Sequence, residues 1–391
     1  MQQPEGSAVR KLAYAMGFMA SALLAACGGG GGDGPQPQGT LKLSMTDAPS
    51  CYGKVEVTVE KVRVHKGSNV GDGQGGWEEI VPPNGPVKID LLNLTNGALA
   101  DLGSAQVDAG TYRDMRLVLS DDAGANTVTL LDGTQHELKT PSGQTSGIKL
   151  RTTFDVAENA TTDLVLDFDA CKSVVKAGNS GQYILKPVIR LSEKVAGGIE
   201  GYVDPSMVTG TATTAVTAYL DGEAVRATSP DSDGKFKLAY LMPGTYTVVI
   251  TSTDRATAVV TQVPVDKAAV VLNASSAAIT PPASAVHTVT GTVQEGSTPV
   301  GDAFVTAWQA IASGTINVLS TAVDVDLGTY TLKLPVDDPV VAPYASSGLA
   351  FTADGTASGV YTLKATAPDR DAIQHDVDTR APTANPVDFT Y

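Results

Sequence analysis

Side chains able to do chemistry are sparse in this chain, and their spacing limits which chemistry is open to them. There are three cysteines, Cys27, Cys51 and Cys171, and four histidines, His65, His136, His287 and His375. The histidines fall one to a segment, so none has a partner at the spacing of a zinc site or a catalytic dyad. The chain lacks His-Glu-x-x-His, Gly-x-Ser-x-Gly and a glycine-rich phosphate loop. Asp163, Asp167 and Asp169 share one parity along a strand-like run, with Asp121-Asp122 in a turn, and Ca²⁺ favours clustered carboxylates. A solvated acidic face explains them without a metal. Asp231 and Asp233 match a fragment of a calcium loop with no bidentate Glu at the right distance, so turn chemistry explains that pair. Trp77, after the glycine-rich stretch Gly67–Gly76, and Trp308, ending the strand-like VTAW, are the two aromatic platforms a sugar ring would stack on. Packing is the simpler role for both, with Trp308 expected in the core and Trp77 the weak ligand-contact candidate. No catalytic residue is assigned.

The cysteines carry more. Arg10 and Lys11 precede the apolar run Leu12–Leu24, and small residues Ala25 and Ala26 lead to Cys27, the three-part layout of an export signal too short to span a membrane comfortably. The tetrad Leu24-Ala25-Ala26-Cys27 resembles the bacterial lipobox, which implies acylation of Cys27 as the mature N-terminus. More than one acyl chain makes such anchoring stable, each buried methylene contributing about 0.8 kcal/mol. Residues 1–26 are then the signal, and 27–39 a lipidated cysteine with a Gly/Pro tether. Gly28 rather than Asp after the cysteine resembles known sorting signals, which implies outer-membrane delivery in a Gram-negative cell. Export leaves Cys51 and Cys171 as a natural disulfide pair. It would close a loop of about 120 residues, which the chain-entropy argument values at roughly 4–5 kcal/mol.

Composition points to strands. Val and Thr runs punctuated by Gly, Pro, Asp and Asn favour sheets and turns over helices. A net charge of −15 argues against nucleic acid as a partner, since phosphate needs clustered Lys and Arg. Beyond the N-terminus no apolar run reaches the length of a membrane helix. Val55, Val57 and Val59 alternate with polar residues, then Val62 and Val64 continue on the other parity, which predicts a bulge near Glu60-Lys61. Met115–Leu119 and Asp163–Asp169 read as strands, and Leu91–Leu102 as the place for a short helix. The segments LSMTDAP (43–49), VEVTVEKVRVH (55–65), Trp77 with Glu78-Glu79-Ile80, IDLLNL (89–94), AGTYRDMRLVL (109–119), LDFDACKSV (166–174) and YILKPVIR (183–190) together resemble domain of unknown function 4382. That resemblance implies a β-sandwich at 40–195 on a bacterial surface and brings no catalytic residue.

Downstream a pattern occurs twice, roughly 90 residues apart, as tandem sandwiches require. IEGYVD, AVTAYLDG, PDSDGKFKL and MPGTYTVVITSTDR recur from Val289 as VTGTVQ, FVTAWQA, VDLGTYTLKL and SGVYTLKATAPDR. Asp231-Ser232-Asp233-Gly234 followed by Pro243-Gly244-Thr245-Tyr246 resembles the regulatory-like domain of carboxypeptidases, a prealbumin-type, starch-binding-like sandwich. Gly359-Val360-Tyr361 keeps part of this in the second copy, and Gly110-Thr111-Tyr112 gives the first domain a similar turn. The units are 198–280 and 287–391, with an insertion at about 335–358 and a Pro281-Pro282 linker between 273 and 286. The expected fold is all-β: three tandem sandwiches, Greek-key and prealbumin- or immunoglobulin-like, after a signal and tether. The expected role is non-catalytic, in the cell envelope. Its partners would be the lipid membrane through Cys27 and an extracellular polysaccharide or envelope protein, with no cofactor save Ca²⁺ were the acidic face to hold it. A carbohydrate-binding module and a plain structural stalk are the alternatives.

Overall fold

Strand-forming sequence with alternating burial dominates the described residues, and among them helices are limited to single turns. The computed structural model describes residues 36–47, 51–141, 147–150, 152–209, 212–381 and 386–391. The signal, Cys27 and the tether as far as Pro35 lie outside the described residues. Among those described, no helix is long and apolar enough to cross a membrane. The tether reading ran to Gly39, but the first strand already begins at Gln38, paired with Asp108. Gly39 belongs inside it because a Cβ there would collide with the Ala157 carbonyl oxygen.

Two sheets, with the short ribbon of Gly110–Tyr112 and Phe154–Val156, enclose the first core. One orders Ile189–Glu193, Thr161–Phe168, Gln38–Asp47 and Ala100–Asp108; the other is built around the long strand Lys54–His65 and its neighbour Asp114–Leu119. Leu41, Leu43 and Met45 face Val55, Val57, Val59, Val62 and Val64 in one apolar cluster. The change of parity is a real bulge, where the register with Asp114–Leu119 shifts between Val59 and Lys61. The short-helix expectation is met only by a 3₁₀ turn at Leu91–Leu94, capped by Asp90. Asn96 and Gly97 then take positive φ and break it, and a strand begins at Ala100.

A second cluster fills the space between a three-stranded sheet (Lys235–Ala239, Gly198–Tyr202, Ala269–Val271) and a six-stranded one. At the tip, Asp231 Oδ1 accepts from the amides of Asp233 and Lys235, at 3.0 and 2.9 Å, and Gly234 sits at φ +76°. Tyr246 is buried and its hydroxyl donates to the Met242 carbonyl at 2.7 Å. Tyr112 makes the same four-residue reach to Asp108 at 2.8 Å, the tyrosine corner of Greek-key sandwiches.

The stretch expected to be an insertion is structural. Val340–Pro343 and Thr352–Ala353 extend the second unit's sheet beyond Ala258–Val265, the first in parallel register. Val249 and Val259 point from the other face of that sheet into the third cluster, so its strands are apolar on both faces. Ile279 is buried, and the proposed linker is bridged to the second unit at Val203–Ile279 and Arg255–Ala283. In the third unit Trp308 is half-exposed, correcting its expected core position. Val305 and Ala307 take the inward parity of that strand, and Trp308 falls on the other.

The three units touch pairwise. Asn96 in the first accepts from the Lys237 amide of the second at 2.9 Å, and Tyr240 donates to the Gly97 carbonyl at 2.8 Å. The Gly178 amide donates to Asp324 of the third at 3.0 Å, and Lys186 to the Gly301 carbonyl at 2.8 Å. Tyr219 of the second reaches the Asn317 carbonyl of the third at 3.0 Å.

Candidate functional site

Each of the strand's acidic candidates has a cationic partner of its own. Asp163 lies 3.7 Å from Lys194, and Asp169 caps the turn Ala170–Ser173 while pairing with Lys172 at 2.6 Å. Asp167 is buried and forms a 2.9 Å ion pair with Arg226 of the second unit, whose guanidinium also donates to Ser192 Oγ at 2.7 Å. Burial pushes the Asp167 carboxyl above the usual carboxylate range, and Arg226 pulls it back. Asp121 and Asp122 stay on an exposed turn of the other sheet. Among the described residues no group of three or more His, Cys, Asp or Glu is placed to hold a metal. This face therefore serves as a joint between units, because a carboxylate already paired with a guanidinium has little left to offer a cation.

Cys51 and Cys171 form a disulfide with Cα atoms 5.5 Å apart, across a sequence separation of 120. It lies beside a crevice walled by all three units, including Thr213, Thr253, Leu319 and Lys333. Tyr52 next to it donates to the Val174 carbonyl at 3.0 Å, and burial raises its pKa to about 12.

Trp77 does not stand alone. Register places Lys149 opposite Arg116, Arg116 opposite Arg63, and Arg63 opposite Glu79, so one cross-strand row on the outer face carries three cations in succession. The indole lies over two of them, with guanidinium carbons 4.7 Å (Arg63) and 4.4 Å (Arg116) from its centroid, and His65 at 5.2 Å. Its Nε1 donates to the Gly71 carbonyl at 3.2 Å, returning the glycine-rich loop over the row. Asp72 on that loop pairs with Arg116 and approaches Arg63 at 3.9 Å; Glu79 is 3.3 Å from Arg63, and Asp114 is 3.5 Å from Arg116. Arg116 is only 1% exposed, whereas Asp72 is 46% exposed. Burial, and then Arg63 beside it, lower the Arg116 pKa. The sequence reading named Trp77 and missed the row; the available signal was one Arg inside the apolar run Met115–Leu119.

Residues 38–187 match a family model described as a domain of unknown function, DUF4382. The match takes in every segment on which that resemblance was read except the last three residues of YILKPVIR, 188–190. No curated protein matches the chain. Among solved structures it is similar to the Bacillus anthracis TIE protein, at 13% identity over 91% of this chain and 50% of that one, TM-score 0.17. A Streptococcal ancillary pilin aligns at 10% identity over 90% of this chain and 98% of that one, TM-score 0.19. The major pilin subunit of Bacillus cereus aligns at 10% identity over 90% and 98%, TM-score 0.14. The chain spans half the length of the first of these.

Proposed function

We propose that this chain is a lipid-anchored, non-catalytic protein of the bacterial cell envelope whose body is a compact binding head. The observation that carries the reading is the Cys51–Cys171 disulfide. Such bonds persist outside the reducing cytosol, and this one accounts for two cysteines, leaving Cys27 at the end of the apolar signal. The lipobox-like tetrad supports acylation there, and Gly28 supports delivery to the outer membrane. The Tyr246 corner and the Asp-x-Asp-Gly turn support a regulatory-like module in the second unit. Pairwise contact among the three units favours a head over an extended stalk, because a stalk needs its modules joined end to end.

Growth with a labelled fatty acid tests the anchor: wild-type protein takes up label, and Cys27→Ser loses it. Label retained in Cys27→Ser overturns the anchoring, and sedimentation with inner-membrane fractions overturns the outer-membrane address.

A further inference from the structure

We propose that the outer face of the first sandwich is a binding site for a carboxylate-bearing sugar, built from Lys149, Arg116, Arg63 and Trp77 and closed here by the loop's own Asp72. The proposal goes beyond the envelope reading and stands without it.

Like charges directly opposite each other on adjacent strands destabilise a sheet, and this row sets three cations side by side. A sheet that needed only to fold would gain by placing Thr or Val there. Such a row is held when something anionic sits on it. Asp114 and Glu79 supply part of that charge from the strands themselves. The rest comes from Asp72, a half-exposed carboxylate on an irregular loop. Lys149 is exposed, with no ion-pair partner among the described residues.

Gly71, Gly73 and Gly75 have no positive φ, and a Cβ at Gly73 or Gly75 would meet nothing within 4 Å. Neither backbone conformation nor close packing demands glycine at these positions. What glycine adds is chain freedom, which lowers the free energy needed to lift Asp72 away.

Chemical class follows from what is already bound. The group on Arg116 is a carboxylate, and a guanidinium fork receives a second carboxylate in the same way. The half-exposed indole beside it offers an apolar face to the C–H side of a pyranose ring. A uronic acid unit carries both features, a carboxylate and a pyranose C–H face. The net charge of −15 repels a long polyanion, so the site suits one or a few uronate units at a time.

The test is calorimetric titration of the full-length protein with a galacturonate trimer, a neutral galactose trimer and a tri-glutamate peptide. Wild-type protein should bind only the galacturonate trimer. Asp72→Asn, which removes the competing carboxylate, should bind it at least tenfold more tightly, and Lys149→Gln at least tenfold more weakly with an unchanged melting temperature. Trp77→Phe should weaken binding less than Trp77→Ala. The proposal fails if neither wild-type protein nor a folded Asp72→Asn variant binds galacturonate. It fails equally if the neutral sugar or the peptide binds as tightly. Loss of fatty-acid labelling at Cys27 has no bearing on this result, so the two readings fail separately.

Discussion

Breaking the ion pair between Asp167 and Arg226 is the most informative perturbation, because it tests how the first and second units are joined. At 2.9 Å, with both side chains 5% exposed, the attraction is about 6 kcal/mol for an effective dielectric near 20. Desolvating each ion costs several kcal/mol, so the pair is nearly neutral in net terms while each half depends on the other. Asp167→Asn strands the Arg226 charge in the interface and should lower unfolding free energy by about 3–5 kcal/mol. Asp167→Leu with Arg226→Met removes both charges and should stay within about 1 kcal/mol of wild type. Arg226→Met alone leaves burial as the main influence on Asp167, which keeps its folded pKa above the unfolded value. Folding then favours the protonated acid: stability from this group is full below the unfolded pKa and is lost as pH rises through the folded one. The deficit of Arg226→Met should therefore grow with pH. Urea unfolding followed by circular dichroism at several pH values measures all of this. Asp167→Asn within about 1 kcal/mol of wild type, or a double variant as unstable as the singles, would refute the reasoning.

Three further outcomes follow from named contacts. Replacing both Cys51 and Cys171 with Ser should cost about 5 kcal/mol on the chain-entropy argument, and a scanning calorimeter should show a melting temperature lower by roughly 10 °C or more. Gly234→Ala must hold φ +76° and push a methyl against the Val203 carbonyl oxygen, so it should lose about 2 kcal/mol in a denaturant titration, while Gly222→Ala, with open space, should lose less. Tyr52, held by burial at a pKa of about 12, gives stability that is full below pH 10 and lost as pH rises through 12. Tyr219 and Tyr330 are also raised by burial, so a melting temperature flat between pH 9 and 12 would contradict the assignment.

Much of the local architecture was legible because strand patterns are local. The bulge at Glu60-Lys61 was visible as a parity change in valines, and the turn at Asp231–Gly234 as an Asp-x-Asp-Gly string. The disulfide followed from cysteine arithmetic. Trp308 was misplaced because a residue name says nothing about which parity faces inward, and Val305 and Ala307 had already taken that side. The acidic candidates shared a strand face as read, yet Asp167 met a guanidinium fifty-nine residues away rather than a cation. The charge row at Trp77 escaped notice because Lys149, Arg116 and Arg63 are neighbours only through strand register.

By itself the sequence determined the all-β class, the turn chemistry and which two cysteines pair. Each rests on period-two burial, on residues that tolerate unusual φ, or on counting. Tertiary structure alone decided that the Pro-, Ser- and Gly-rich stretch after Pro335 completes the second unit's sheet, that three units meet pairwise, and that three cations share one row under a tryptophan. Sheet neighbours are chosen by which edges and apolar faces remain uncovered once the chain collapses, and that choice is made between segments far apart in sequence.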